Sequence, residues 1–71
     1  MIKTKDITIL GSGISGLGSA KLAKKFGINV FVSDKNSIKE KVKKHLNNNK
    51  ISFKENGHDV ERLLKSDEVI I

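Results

Sequence analysis

The stretch Ile7-Thr8-Ile9-Leu10-Gly11-Ser12-Gly13-Ile14-Ser15-Gly16 decides the fold of this 71-residue chain. Its first four residues form an apolar, β-branched run of the kind found in buried strands. The rest fits the pattern G-x-G-x-x-G, in which Gly11 permits a tight turn, Gly13 lets the backbone approach a diphosphate and Gly16 lets the helix pack on the strand. The stretch predicts a strand, a phosphate-binding turn and the start of a helix.

An acidic residue follows at the distance that nucleotide-binding folds use. Asp34 lies 18 residues after Gly16, at the end of a second predicted strand, where a carboxylate can accept hydrogen bonds from a ribose or a base. Two simpler interpretations stay open at this point. The glycines could serve only to close a tight turn, and Asp34 could be a solvated loop residue.

Outward from this unit, apolar β-rich runs alternate with helical patterns. Ser37 and Glu40 are spaced as a capping box for the second helix, and Asp59 can cap a short third helix. Gly27 is suited to a left-handed helix end. The predicted order is β-α-β-α-β-α-β, with strands at Ile7–Leu10, Ile28–Ser33, Ile51–Phe53 and Glu68–Ile71 and a first helix at Ser15–Phe26.

Strands joined by helices run parallel, with right-handed crossovers. The expected fold is therefore an α/β, Rossmann-like three-layer domain spanning residues 1–71, with strand order 3-2-1-4. The first two helices would cover one face of the sheet and the third helix the other. Because a single short helix leaves that second face half covered, we expect the chain to be a truncated piece of a longer α/β protein.

Composition narrows the classes of partner. Fourteen Lys and Arg against eight Asp and Glu give a formal net charge of +6, which favours anionic ligands. With no Trp or Tyr and only three Phe, stacking surfaces for nucleic acid are scarce, so we expect a small-molecule ligand. A nucleic-acid contact through the basic surface remains the alternative. The absence of cysteine, of a signal peptide and of any ~20-residue apolar stretch predicts a cytoplasmic protein without a membrane segment.

No catalytic or metal-binding constellation is recognisable. Paired carboxylates, a nucleophile elbow and the loop G-x-x-x-x-G-K-[ST] are all absent from the sequence. His45 is expected to be solvated and His58 to form a local turn hydrogen bond, since neither has a second ligand at metal spacing. The residues alone therefore predict binding rather than catalysis.

Four segments together resemble the N-terminal domain of the Mur ligases, in particular those that join D-glutamate to UDP-N-acetylmuramoyl-L-alanine. The resemblance runs nearly end to end. Its distinguishing features are Ser15 before the third glycine and the pairs Ser33-Asp34 and Gly57-His58. The segments that carry it are Ile7–Gly16, Val30–Asp34, Asn56–His58 and Ser66–Ile71.

The resemblance implies a cytoplasmic, three-domain enzyme of peptidoglycan synthesis, in which the central domain binds ATP and Mg²⁺ and the C-terminal domain helps to bind the amino acid. The N-terminal domain would bind UDP without a cofactor of its own. Asp34 would hydrogen-bond the uracil edge, with Lys35 and Asn36 lining the same pocket. Family members often carry an Arg just after this acid, whereas this chain has Lys35 and Asn36, and Lys lacks the planar group that stacks on a base. The implied UDP-binding residues are Gly11, Gly13, Ile14, Ser15, Gly16, Asp34, Lys35 and Asn36.

A second function uses the same loop. An NAD(H)- or FAD-binding module of an oxidoreductase or regulatory protein would place its diphosphate at the glycines and its ribose 2′-hydroxyl at Asp34. The glycine pattern and the acid alone do not separate this function from the first.

Overall fold

A computed structural model of the chain describes residues 5–71. Four strands and three helices alternate along it, as the sequence predicts, with boundaries that differ from the predicted ones by one or two residues. The elements are β1 (Asp6–Leu10), α1 (Ile14–Lys25), β2 (Asn29–Ser33), α2 (Glu40–Asn48), β3 (Ser52–Lys54), α3 (Val60–Lys65) and β4 (Glu68–Ile70).

The sheet has the strand order β3-β2-β1-β4, and every neighbouring pair is parallel. This confirms the predicted Rossmann-like α/β arrangement. The direction of strand addition reverses at β1, because β2 and β3 lie on one side of β1 in the sheet and β4 lies on the other side. Parallel sheets of this kind bind ligands beyond the carboxyl ends of the strands, at that reversal.

The hydrophobic core lies on one face of the sheet, between the strands and helices α1 and α2. Alternate residues of β1 and β2 point to this face, and the registers of the two strands place Ile7 beside Val30 and Ile9 beside Val32. The two helices contribute Ala20 and Leu46. The full buried cluster comprises Ile7, Ile9, Ala20, Val30, Val32, Ile38, Leu46 and Ile51.

The opposite face of the sheet contacts α3 and the residues that flank it. The hydroxyl of Thr8 on β1 is hydrogen-bonded to that of Ser66, and the Arg62 guanidinium lies 4.8 Å from the centre of the Phe31 ring. These contacts place α3 on the face expected for the third helix. Asp59 caps it by accepting a hydrogen bond from the Arg62 amide at 3.1 Å, which confirms that predicted cap.

The predicted capping box of the second helix is wrong. Helix α2 begins only at Glu40, after an extended Lys39, because Ile38 is buried in the core before the chain turns helical. Ser37 instead donates a hydrogen bond to Asn56. The Ile38 amide donates to Glu55 at 2.9 Å, so a carboxylate from beyond β3 supports the approach to this helix.

Glycine ends the first helix as predicted, since Gly27 follows the C-cap Phe26 with a φ of 77°. Across residues 5–71, no helix has the length and apolar character that crossing a membrane requires.

Candidate functional site

The glycine turn lies at the carboxyl end of β1. Gly11 has a φ of 103°, a conformation that L side chains rarely adopt, and its amide donates to the Ser33 carbonyl at 2.7 Å. A Cβ on Gly16 would overlap the backbone carbonyl oxygen of Gly11. Gly11 is therefore required by the turn and Gly16 by the close approach of α1 to that turn.

Gly13 differs from both of these glycines. Its φ of −64° is ordinary, and a Cβ built on it meets no protein atom within 4 Å. The fold thus does not require glycine at this position. The open space in front of Gly13 is consistent with the close approach of a ligand to the backbone, which is the function that the glycine pattern assigns to this position.

Helix α1 starts directly beyond Gly13 and points its first amides toward this space. No side chain caps the helix start, and no acidic residue lies in its first turn. The first amides of a helix lack intrahelical partners and carry a partial positive charge, so such a terminus attracts anions. Ile14, in this first turn, is 95% exposed.

Asp34 follows β2 directly, and hydrogen bonds fix its carboxylate beside the glycine turn. Its Oδ2 accepts from the amide of Ser12 at 2.9 Å and from the hydroxyl of Ser12 at 2.6 Å, and its Oδ1 accepts from the Asn36 amide at 2.9 Å. These bonds, the Ser12 hydroxyl first among them, hold the pKa of Asp34 below its ordinary value. Asp34 is therefore ionised at neutral pH.

Three cavities border the glycine turn, and Gly13 and Ile14 line two of them. One, of about 390 Å³, lies at the strand reversal between the ends of β1 and β4. Another, of about 290 Å³, lies between the turn and the segment that leads to α2. Among the predicted site residues, Gly11, Gly13, Ile14, Ser15 and Gly16 line the first cavity, and Gly13, Ile14, Asp34 and Asn36 line the second.

The expectation that Lys35 and Asn36 line one pocket is wrong, because Lys35 does not share a cavity with Asn36. Lys35 lines the third cavity together with Asp34 and His58. The ring Nδ1 of His58 is hydrogen-bonded to the hydroxyl of Ser33 on β2, so the predicted local turn bond of His58 is wrong. Gly57, which precedes His58, forms an isolated antiparallel bridge with Asp34. This backbone pairing holds His58 beside the end of β2.

Ser12 is a site residue that the sequence pattern does not single out. The motif G-x-G-x-x-G leaves this position open to any residue, yet Ser12 is 7% exposed and makes two of the three hydrogen bonds to the Asp34 carboxylate. A hydroxyl residue inside the turn, facing the strand end that carries the acid, is the signal that could have identified it. Within residues 5–71, no three His, Asp or Glu side chains converge as a metal site.

Comparison with known proteins gives consistent matches over almost the whole chain. The family model for the MurD N-terminal domain matches residues 5–71. A UDP-N-acetylmuramoylalanine–D-glutamate ligase of Bacteroides thetaiotaomicron is 48% identical over 66 residues, which cover 93% of this chain and 15% of the relative. The enzyme of the same name from Bacteroides fragilis is 46% identical over the same shares of both chains.

A relative of lower sequence identity carries the same name. The enzyme of this name from Thermosipho africanus is 41% identical over 64 residues, or 90% of this chain. The chain spans about 15% of the length of the curated relatives it matches. Since the family model matches residues 5–71, which are all of the described residues, the chain belongs to the MurD N-terminal domain family.

Proposed function

We propose that this chain binds the UDP part of UDP-N-acetylmuramoyl-L-alanine, as the N-terminal domain of a ligase that adds D-glutamate to that substrate. The observation that carries the proposal is the position of Asp34. Its carboxylate is fixed 2.9 Å from the Ser12 amide, across a cavity from the uncapped start of α1. A nucleoside group and a phosphate group could therefore be bound side by side.

The diphosphate binds at the helix start. The amides of Ile14, Ser15 and Gly16 donate to its oxygens, and the absence of a Cβ on Gly13 lets those oxygens come close to the backbone. No acid in the first turn of α1 opposes the negative charge. The overall charge of +6 adds a weaker, longer-range attraction for the anion.

The nucleoside binds at the acid. Asp34, ionised and partly exposed, accepts a hydrogen bond from the uracil edge, and Asn36 lines the same cavity. Lys35 lines a different cavity from Asn36, together with Asp34 and His58. There it contributes positive charge rather than a stacking surface for the base.

The whole protein, in this proposal, is a cytoplasmic enzyme of peptidoglycan synthesis whose central and C-terminal domains bind ATP, Mg²⁺ and D-glutamate. Residues 5–71 do not fit ATP or Mg²⁺ themselves. Their glycine turn continues into Leu17, where an ATP-binding loop of the G-x-x-x-x-G-K-[ST] type requires Lys, and no carboxylate cluster is present among them. This chain binds and orients the substrate, and the chemical step takes place elsewhere.

Titration with UDP, followed by amide chemical shifts, tests the binding site. The largest shifts are expected at Gly13 to Gly16, Asp34 and Asn36. Uridine, which lacks the diphosphate, should bind at least about tenfold more weakly, because the charge-assisted bonds to the helix start are lost. NADH serves as the competing ligand. NADH binding with UDP inert, or UDP shifts that avoid both the glycine turn and Asp34, would contradict the proposal.

A further inference from the structure

Ser12 links the glycine turn to the acid of the second strand. Its side chain is almost fully buried, and its amide and its hydroxyl both donate to the same atom, Oδ2 of Asp34. A residue that only closed the turn would need neither bond, since the turn itself depends on the positive φ of Gly11. The two bonds therefore fix the Asp34 carboxylate against the turn.

These bonds limit what the Asp34 carboxylate can still accept. An ionised carboxylate offers about four acceptor positions, two on each oxygen. Ser12 occupies both positions on Oδ2, and the Asn36 amide occupies one on Oδ1 at 2.9 Å. One position remains for a ligand, and it lies on Oδ1.

Ligands differ in how many hydrogen bonds they donate to such a group. The neighbouring hydroxyls of a ribose donate two and are matched by a carboxylate with both oxygens free, whereas a base N–H donates one. We propose that Ser12 determines ligand specificity by occupying Oδ2, so that Asp34 receives a single N–H or O–H donor and does not engage a pair of ribose hydroxyls. This inference rests on the proposed function and defines how its site selects a nucleotide.

Ser12 acts through Asp34, so it is a positioning residue, and two substitutions isolate its effect. Ser12→Ala removes the hydroxyl bond but keeps the amide bond, which frees one position on Oδ2. Ser12→Thr keeps the hydroxyl and should restore the original selectivity. Ser52→Ala is the matched control, because Ser52 is an exposed serine on β3 that lines none of the cavities at the glycine turn.

The experiment compares dissociation constants for UDP and ADP-ribose in the wild-type protein and these three variants. In Ser12→Ala, the ratio of the dissociation constants for ADP-ribose and UDP is expected to fall about tenfold. A change of this size corresponds to the contribution of one hydrogen bond to a charged group. Ser12→Thr and Ser52→Ala should keep the wild-type preference. The pKa of the Asp34 carboxyl, followed by carbon NMR, should rise in Ser12→Ala alone, which a general loosening of the turn would not produce.

The possible outcomes separate the role of Ser12 from the proposed binding of UDP. An unchanged preference in a folded Ser12→Ala protein would overturn the inference while leaving the proposed function intact. UDP-induced amide shifts that avoid both the glycine turn and Asp34 would overturn the proposed function, whereas ADP-ribose affinity and the Asp34 pKa would still test Ser12. If Ser12→Ala does not fold, Ser12→Cys gives the same comparison, because a thiol of similar size is a weak donor.

Discussion

The three glycines of the turn are subject to three different physical constraints. Gly11 is fixed by its φ of 103°, and Gly16 by the backbone oxygen that a Cβ would strike. Gly13 meets neither constraint, because its surroundings within the protein are open. Substitutions at these positions should therefore separate ligand binding from stability.

Gly13→Leu is expected to abolish UDP binding and to leave the protein folded, because the leucine would occupy the space that the diphosphate needs. Gly18→Leu is the control, since Gly18 lies further along α1 and has equally open surroundings. Isothermal titration with UDP and circular dichroism give the two readouts. Normal UDP affinity in a folded Gly13→Leu protein would exclude the turn as the binding site.

Gly16→Ala should show the reverse pattern. Its added methyl group meets the Gly11 backbone, which cannot move aside like a flexible side chain, so the free energy of unfolding should fall by about 1–3 kcal/mol or more. Thermal or denaturant unfolding measures this loss. A stability equal to that of the wild-type protein would show that the turn is looser than its geometry indicates.

At the scale of elements, helix α2 illustrates a contact that sequence spacing does not reveal. Glu55 accepts from the Ile38 amide and lies 2.6 Å from the Lys43 ammonium group, so it supports the approach to α2 and the helix itself. The Lys43 contact, more than the Ile38 bond, lowers the pKa of Glu55. Glu40, the acid of the predicted capping box, is largely exposed and lies 3.5 Å from Lys43.

Glu55→Gln should therefore lower the unfolding midpoint more than Glu40→Gln does. A carboxylate whose pKa is depressed by folding stabilises the protein above its ordinary pKa, here 4.5, and loses that effect as the pH falls. The difference between Glu55→Gln and wild type should be full at pH 7 and should shrink below about pH 4.5. Equal effects of the two substitutions at pH 7 would contradict this assignment.

Local sequence patterns predict the helices and strands well, but they do not predict the hydrogen bonds between residues that are distant in the sequence. Apolar runs and glycine positions identified all four strands, and helical crossovers then fixed the strand order, because few parallel topologies are allowed. The capping box failed because burial of Ile38 delayed the helix beyond Ser37. In the candidate site, Ser12 was missed for a related reason, since its partner Asp34 is distant in sequence.

Over the whole molecule, the two faces of the sheet differ in character. One face packs against α1 and α2 through the apolar core, whereas the other contacts α3 and its flanking residues through one hydroxyl pair and a cation–π contact. Large apolar side chains on that second side are exposed, including Leu64 at 81%. The apolar contacts that stabilise the described residues are therefore concentrated on the first face.

Two leucine substitutions test this asymmetry. Leu46→Ala, at a fully buried position in α2, should reduce the free energy of unfolding by about 2–5 kcal/mol. Leu64→Ala, on exposed α3, should change it by no more than about 0.5 kcal/mol. Denaturant unfolding of both variants provides the comparison, and a large loss at Leu64 would mean that α3 carries more of the stability than its contacts indicate.

The bridge between Asp34 and Gly57 joins two segments that are far apart in the chain. The Gly57 amide donates to the Asp34 carbonyl at 3.1 Å, and the Asn56 amide donates to the Asn36 carbonyl at 3.0 Å. A ligand that restrains Asp34 should therefore also restrain the connection between β3 and α3, because these backbone hydrogen bonds join the two segments. Ligand binding at Asp34 is therefore expected to slow the hydrogen exchange of the Gly57 and Asn56 amides, although the ligand need not contact either residue.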